Sequence, residues 1–226
     1  MQYLIADEGI SFSTDSAIIF DKFERFRLRE EKEDCIKLEM DSLAEFKEKY
    51  EHLTAHQCEL LLSMQIFAKK VVCKNKLLMH AVTVIVDNYG YILAGKPGAG
   101  KSTMALQWLD HFGSRSYILN DDRTVVGIKD LQMAGWMTPW SKVSCGDPFK
   151  AYTIKGIAFI SKSKDYNACI MNSAEAQNRI MDDYPVEYRN TAGKAAENFL
   201  GIIPAIKVRS NIVDLDVEKM YRMMKE

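Results

Sequence analysis

The glycines and one lysine in the middle of the chain have the spacing of a phosphate-binding loop. Gly95, Gly100, Lys101 and Ser102 satisfy the pattern Gly-x-x-x-x-Gly-Lys-Ser. In such a loop the backbone amides surround an anion, the lysine reaches the terminal phosphates, and the serine hydroxyl binds Mg²⁺. A strand-prone run precedes the loop and a helix-prone run follows it, which is the context that the motif requires. We therefore predict that ATP and Mg²⁺ bind to the segment Gly95, Lys96, Pro97, Gly98, Ala99, Gly100, Lys101, Ser102 and Thr103.

Two adjacent carboxylates end the next predicted strand. Asp121 and Asp122 follow the apolar run Tyr117-Ile118-Leu119. One carboxylate at this place can hold Mg²⁺, directly or through water. The other can accept the proton of an attacking hydroxyl group. After a complete phosphate-binding loop at this spacing, the pair favours a functional site over a simple turn at the end of a strand, and the residues alone leave the two roles interchangeable.

Further segments occur around these in a fixed order. A strand with His80 precedes the loop, Leu119-Asn120-Asp121-Asp122-Arg123 follows it, and Thr138-Pro139-Trp140-Ser141 comes next. This ordered set resembles the catalytic domain of HPr kinase/phosphorylase, above all small bacterial proteins of that kind, over residues 77–222. The resemblance implies an α/β fold: a P-loop core of the phosphoenolpyruvate-carboxykinase/HPr-kinase type, with a mixed β-sheet and flanking helices. It also implies a Mg²⁺-dependent kinase that transfers the γ-phosphoryl group of ATP to a hydroxyl, often that of a serine.

The same resemblance assigns roles to the site residues. It implies that Lys101 binds phosphate, that Ser102 and Asp122 bind Mg²⁺, and that His80 lies close to both. Asp121 is then the general base, with the reverse assignment of the two aspartates left open. On the substrate side the resemblance implies Arg123, Thr138, Trp140 and Lys142. Each of these has a structural alternative, such as an ion pair for Arg123 or a loop anchored by a buried tryptophan.

The sequence also departs from the HPr kinases. Thr103 stands where those enzymes often have glutamate, and their C-terminal signature with glycine and arginine is absent. These differences argue against HPr as the acceptor and against phosphorylase activity. A protein, a peptide or a small molecule stays possible as the acceptor. Two other hypotheses are a nucleotide-gated binding module without phosphoryl transfer, whose first 75 residues recognise a partner by strand addition, and a simple NTPase.

Composition excludes several classes of protein. The 226 residues carry a formal net charge of −1, so there is no basic footprint for nucleic acid. No apolar run is long enough to span a membrane, and the N-terminus lacks the features of a signal peptide. The five cysteines form no C-x-x-C pair. We therefore expect a cytoplasmic protein with reduced thiols, and the resemblance adds a possible homo-oligomer.

The pattern of apolar residues predicts two parts. Short strands through residue 40 and one helix within residues 42–73 form a small N-terminal α+β domain, 1–75. The P-loop catalytic domain follows at 76–226. Its predicted strands are 77–86, 91–94, 117–119, 124–128, 154–160 and 202–208, and its predicted helices are 104–112, 173–181, 190–200 and 214–224.

Overall fold

The computed structural model describes residues 1–211 and 215–225. It is a mixed α/β fold, as predicted. The helices are α1 (Ala17–Glu24), α2 (Leu43–Lys49), α3 (Ala55–Val71), α4 (Lys101–Phe112), α5 (Ser173–Met181), α6 (Arg189–Leu200) and α7 (Val217–Lys225). The strands are β1 (Gln2–Ile5), β2 (Glu8–Ser11), β3 (Cys35–Lys37), β4 (Leu77–Val86), β5 (Tyr89–Ala94), β6 (Ser116–Asn120), β7 (Arg123–Lys129), β8 (Gln132–Trp136), β9 (Tyr152–Lys162), β10 (Asn167–Ile170) and β11 (Ala205–Ser210).

The larger sheet is organised around the long strand β4. Its strand order is β10-β11-β9-β5-β4-β7-β8, β6 pairs with β4, and β8 pairs with β9. The ring of pairings β9-β5-β4-β7-β8 is thereby closed. A strand that is buried along nearly its whole length reads as a continuous apolar run, which is how β4 appears in the sequence.

The register of β4 brings two chain segments together. Both β5 and β6 run antiparallel to β4, and Ala94 pairs with Ala81 while Asn120 pairs with Thr83. The last residues of β5 and β6 therefore lie within two residues of each other along β4. The loop that follows β5 and the aspartates that follow β6 are placed at one edge, next to His80 of β4, which pairs with Arg123 of β7.

The first 75 residues share apolar packing with the larger sheet. Strands β1, β2 and β3 form a separate three-stranded sheet. Its side chains belong to a cluster that also includes Phe67 of α3. The same cluster includes Trp136 and Trp140, which belong to the predicted second domain, 76–226. The ring of Trp140 lies 4.6 Å from the ring of Phe67, centroid to centroid. The domain boundary at residue 75 stays a prediction, and one apolar cluster lies across it.

Local structure differs from the predictions at the N-terminal end. Residues near Ile18 were expected to be extended, but they form α1. A helix places Ile19 and Phe23 one turn apart on the same face, and both are fully buried. The single helix expected within 42–73 is two helices, because a new helix begins after Thr54. The backbone N–H of Thr54 donates to Gln57 Oε1 at 2.9 Å, as in a capping box.

Two strands were missed in the C-terminal half. Strand β8 follows a tight turn at Asp130 and Leu131, both with positive φ, and β10 is short and mostly exposed. The last helix was expected from Asp214, a residue that lies outside the described range; α7 begins at Val217.

Among the described helices, none combines the length and the apolar character needed to cross a bilayer.

Candidate phosphate-binding site

The glycine-rich loop between β5 and α4 has a backbone that only glycine adopts easily. Gly98 and Gly100 have φ of 77° and 98°, in the left-handed region. At Gly95 a Cβ atom would lie 2.6 Å from the carbonyl oxygen of Ile160. The loop therefore passes close to β9 and leads directly into the first turn of α4. The unpaired amides of a helix N-terminus favour an anion at this place.

Lys101 is the first residue of α4, and its side chain is buried beneath the loop. The Nζ atom donates to the carbonyl oxygens of Gly95 at 2.8 Å and Lys96 at 3.4 Å. Burial lowers the pKa of Lys101, while the nearby negative charges of Asp122 and Asp183 oppose that decrease. An ammonium group held against carbonyl oxygens is positioned to donate to phosphate oxygens in the loop.

Asp122 is hydrogen-bonded to His80 at the edge of the sheet. His80 Nε2 lies 3.1 Å from Asp122 Oδ1, and Arg123 Nε lies 3.9 Å from Asp122 Oδ2. The backbone N–H of Ala81 donates to the carbonyl oxygen of Asp122 at 3.0 Å, which fixes the turn after β6 against β4. The hydrogen bond from His80, assisted by the charge of Arg123, lowers the pKa of Asp122. The carboxylate is therefore held in its ionised form.

Asp121 is held differently from its neighbour. Its Oδ1 accepts the backbone N–H of Lys142 at 2.9 Å, and its own N–H donates to the carbonyl oxygen of Val143 at 3.2 Å. These bonds fix the carboxylate to the loop that follows β8. Asp121 is half-buried and lines the same cavity as Asp122.

These groups border one open cavity of about 490 Å³. It brings together the loop, Lys101, His80 and both aspartates, which the sequence analysis had placed in separate segments. The lining residues are His80, Pro97, Gly98, Gly100, Lys101, Ser102, Thr103, Asp121, Asp122 and Lys162. Predictions from the sequence missed Lys162. Its only signal was its place at the end of β9, which runs parallel to β5 so that both strands end at the same edge.

The oxygen donors of this cavity fit Mg²⁺. Within residues 1–211 and 215–225, no group of three or more His, Cys, Asp or Glu side chains is arranged to hold a metal ion. Magnesium bound to a nucleotide usually takes only one or two protein ligands, since phosphates and water complete its octahedral shell. The Ser102 hydroxyl and the ionised Asp122 carboxylate are hard oxygen donors of that kind, and both line the cavity.

The structure places Thr138 and Trp140 away from the cavity. Both are buried, and their polar atoms are bonded elsewhere: Thr138 Oγ1 donates to the carbonyl oxygen of Arg123 at 2.8 Å, and Trp140 Nε1 donates to Ser63 Oγ at 3.2 Å. Lys142 is exposed, and its backbone N–H is the group that contacts Asp121. This segment therefore acts on the site by holding the β6–β7 turn in position.

Asn120 is a buried residue to which the sequence motif assigned no role. Its Nδ2 donates to the carbonyl oxygen of Trp136 at 2.9 Å, and its Oδ1 accepts the backbone N–H of Thr138 at 3.0 Å. These bonds tie the end of β6 to the end of β8. Its place directly before the two aspartates was the available signal, because a buried amide needs several partners.

Comparison with known proteins gives a distant likeness to solved structures. No protein-family model and no curated protein sequence matches this chain. One matching solved structure is the HPr(Ser) kinase/phosphatase from Coxiella burnetii, with 15% sequence identity and a TM-score of 0.36. The match covers 64% of this chain and 93% of that one. With such a TM-score the likeness is too distant to establish a common fold or a shared activity.

Proposed function

We propose that this chain is a Mg²⁺-dependent kinase with a P-loop core, which transfers the γ-phosphoryl group of ATP to a hydroxyl acceptor. One observation carries the proposal. A glycine loop with a buried lysine, at the start of a helix, faces two carboxylates and a histidine across a single cavity. Phosphoryl transfer needs little more from a protein than positioning and neutralisation of charge, and this arrangement supplies both.

The geometry favours different roles for the two aspartates. Asp122 is already hydrogen-bonded by His80 and kept ionised, as is usual for a carboxylate that binds a metal ion. Mg²⁺, when bound by Ser102 and Asp122, supplies positive charge to the phosphates. Among residues 1–211 and 215–225, Asp121 accepts a side-chain hydrogen bond only at Oδ1, which leaves Oδ2 to accept a proton.

The transfer step then follows from these positions. The acceptor oxygen forms a bond to the γ-phosphorus, and its proton moves to Asp121 Oδ2. The bond between the γ-phosphorus and the bridging oxygen breaks, so ADP leaves. Lys101 neutralises the charge on the phosphate oxygens through its ammonium group.

The test uses γ-labelled ATP, Mg²⁺ and a size-fractionated extract of the source cell. We compare the wild type with Asp121→Asn and Asp122→Asn, and with Asp110→Asn as a control on an exposed site of α4. Asp121→Asn should lower transfer by about 10²–10⁴-fold, the contribution of a general base, and keep Mg²⁺·ATP binding. Asp122→Asn should weaken the Mg²⁺-dependent part of ATP binding.

Full transfer in both site variants would overturn the assignment. Label in a macromolecular band identifies a protein or peptide acceptor, and label in a new small molecule identifies a metabolite. ATP that is bound without any labelled product would favour the nucleotide-gated binding module instead.

A further inference from the structure

Part of the connection between β8 and β9 sets the position of Asp121. We call this part, residues 141–146, the β8–β9 loop. The backbone N–H of Asp121 donates to the carbonyl oxygen of Val143 at 3.2 Å. In the other direction, Asp121 Oδ1 accepts the backbone N–H of Lys142 at 2.9 Å. Both the backbone and the carboxylate of Asp121 are thus attached to this loop, and a shift of the loop moves the carboxylate.

The side chains of the β8–β9 loop contribute little to holding it in place. Those of Lys142, Val143 and Cys145 are exposed. Another backbone bond joins the loop to β6, from the N–H of Cys145 to the carbonyl oxygen of Ile118 at 3.0 Å. A segment with so little buried apolar surface opens easily unless polar contacts fix it.

Such contacts come from cations of helix α1 and bind carbonyl groups near both ends of the β8–β9 loop. Lys22 Nζ donates to the carbonyl oxygen of Ser141 at 3.0 Å. Arg25, the C-cap residue of α1, donates from Nη1 to the carbonyl oxygen of Ser144 at 3.1 Å and from Nη2 to that of Gly146 at 3.4 Å. Hydrogen bonds from a charged donor are stronger than those between neutral groups. They lie on both sides of the amide that contacts the proposed general base.

Helix α1 is itself fixed by apolar packing, so it can serve as a support. Its side chains Ile19 and Phe23 are fully buried. The ring of Phe23 lies 5.8 Å from the ring of Trp140, centroid to centroid. Trp140 directly precedes Ser141, so the helix packs against the start of the β8–β9 loop and also bonds to it. The cations are not part of this apolar contact and can be replaced without removing it.

Asp122 is held by a different part of the chain. Its carbonyl oxygen accepts the backbone N–H of Ala81 at 3.0 Å, and His80 Nε2 lies 3.1 Å from its Oδ1 atom. Both partners belong to β4. The two aspartates are adjacent in the sequence, but the large sheet fixes Asp122 while the β8–β9 loop fixes Asp121. A change in α1 should therefore move Asp121 and leave the nucleotide-binding groups in place.

We propose that Lys22 and Arg25 are positioning residues for phosphoryl transfer. By holding the β8–β9 loop they keep the N–H of Lys142 in place, and with it the carboxylate of Asp121 as general base. This inference rests on the proposed kinase function. Misplacement of a catalytic group by about 1 Å can lower a rate by about 10²-fold, so bonds at this distance from the reacting atoms affect the chemistry.

The first test measures the single-turnover rate of transfer from γ-labelled ATP to the extract fraction that the wild type labels. Lys22→Met, Arg25→Met and the double variant Lys22→Met/Arg25→Met are compared with the wild type. The double variant should lower the rate by about 10–100-fold and each single variant by less. The affinity for Mg²⁺·ATP should stay unchanged. Lys22→Arg keeps the charge and the donor and should retain most of the rate.

Arg27→Met is the matched control. Arg27 is an exposed cation two residues after Arg25, and its Nη1 donates to Glu24 Oε1 at 3.1 Å. The substitution therefore removes the same charge from the same surface at a different contact. Arg27→Met should transfer phosphate at the wild-type rate, which separates the loop contacts from a general effect of charge.

A double-mutant cycle with Asp121→Asn separates positioning of the base from a general structural role. If Lys22 and Arg25 act through Asp121, then adding their substitutions to Asp121→Asn should lower the remaining rate by less than about twofold. Residues that act elsewhere would lower the rate by the same factor in both backgrounds.

Hydrogen exchange of backbone amides, followed by NMR, tests the same contacts without measuring activity. The N–H groups of Lys142 and Cys145 should exchange at least about tenfold faster in the double variant, because the loop opens more often. The N–H of Ala81, which holds Asp122, should exchange at the wild-type rate. That amide also reports that the large sheet of the variant is folded.

Two results would overturn the inference and leave the kinase in place. One is a wild-type rate of transfer, or unchanged exchange of the Lys142 amide, in the double variant. The other is an equal loss of rate in the wild-type and Asp121→Asn backgrounds. A wild-type protein that labels no acceptor in the extract would instead contradict the proposed function itself, and the exchange measurement would still show whether α1 holds the β8–β9 loop.

Discussion

Two segments stand out in the sequence: the glycine loop Gly95–Ser102 and the segment Thr138–Lys142. The first lines a cavity, whereas Thr138 and Trp140 of the second are buried in the protein. Residues of the loop, with Lys101 and Ser102, line an open cavity. The later segment turns Thr138 and Trp140 into the protein, where their donors are bonded to Arg123 and Ser63. A conspicuous group of polar and aromatic residues can therefore serve a site without lining it, by fixing the residues that do.

The largest expected effect comes from the loop itself. Lys101→Ala should weaken Mg²⁺·ATP binding by at least about 10-fold and reduce transfer by about 10²–10³-fold or more, because the charge that stabilises the transferring group is lost. The measurement is nucleotide titration together with the labelled-ATP assay. Lys47→Ala, at an exposed position of α2, is the matched control and should retain full activity. Equal losses of nucleotide binding and of transfer in both variants would contradict a specific role for Lys101.

The second prediction concerns stability rather than binding. Trp140→Ala should lower the free energy of unfolding by about 3–5 kcal/mol, because it leaves a cavity against Phe23 and Phe67 and removes the hydrogen bond from Trp140 Nε1 to Ser63. Urea unfolding followed by circular dichroism measures this. The folded fraction should bind Mg²⁺·ATP with unchanged affinity. Trp140→Phe keeps most of the packing and should cost clearly less. A stable Trp140→Ala protein with impaired transfer would instead place Trp140 in contact with substrate.

The smallest expected effect is a shift in pH dependence. The pKa of Asp122 is lowered mainly by the hydrogen bond from His80, so the ionised carboxylate persists below the usual range near pH 4. The ionised Asp122 carboxylate stabilises the folded protein above that pH. This stabilisation is lost as the pH falls through the lowered pKa of Asp122. In His80→Ala the pKa of Asp122 should rise, and the acid limb of Mg²⁺·ATP affinity should move upward by a few tenths to about one pH unit.

The pH profile of nucleotide affinity, measured at constant ionic strength, checks this shift. His111→Ala is the control. His111 is in the last turn of α4, lies 3.2 Å from Glu218 of α7 and borders a different cavity. An acid limb that stays in place in His80→Ala would show that the hydrogen bond to Asp122 does not tune its charge.

Prediction from the sequence was most accurate where local rules decide the structure. The loop, the strand before it and the helix after it follow from glycine conformations and apolar periodicity, and the structure has all three. The helix α1 was missed, because Ile19 and Phe23 are recognised as one buried face only when their tertiary neighbours are known. The break before α3 was also missed, although the capping residues Thr54 and Gln57 gave a local signal for it.

The sequence by itself determined that a glycine-rich loop with the spacing Gly-x-x-x-x-Gly-Lys-Ser and an acidic pair exist, since both depend on residue types at fixed spacing. Only the tertiary structure decided which of them meet. The register of β4 places the ends of β5 and β6 within two residues of each other along β4, and no local pattern encodes that pairing. The burial of Thr138 and Trp140 was decided in the same way, because burial depends on side chains that are distant along the chain.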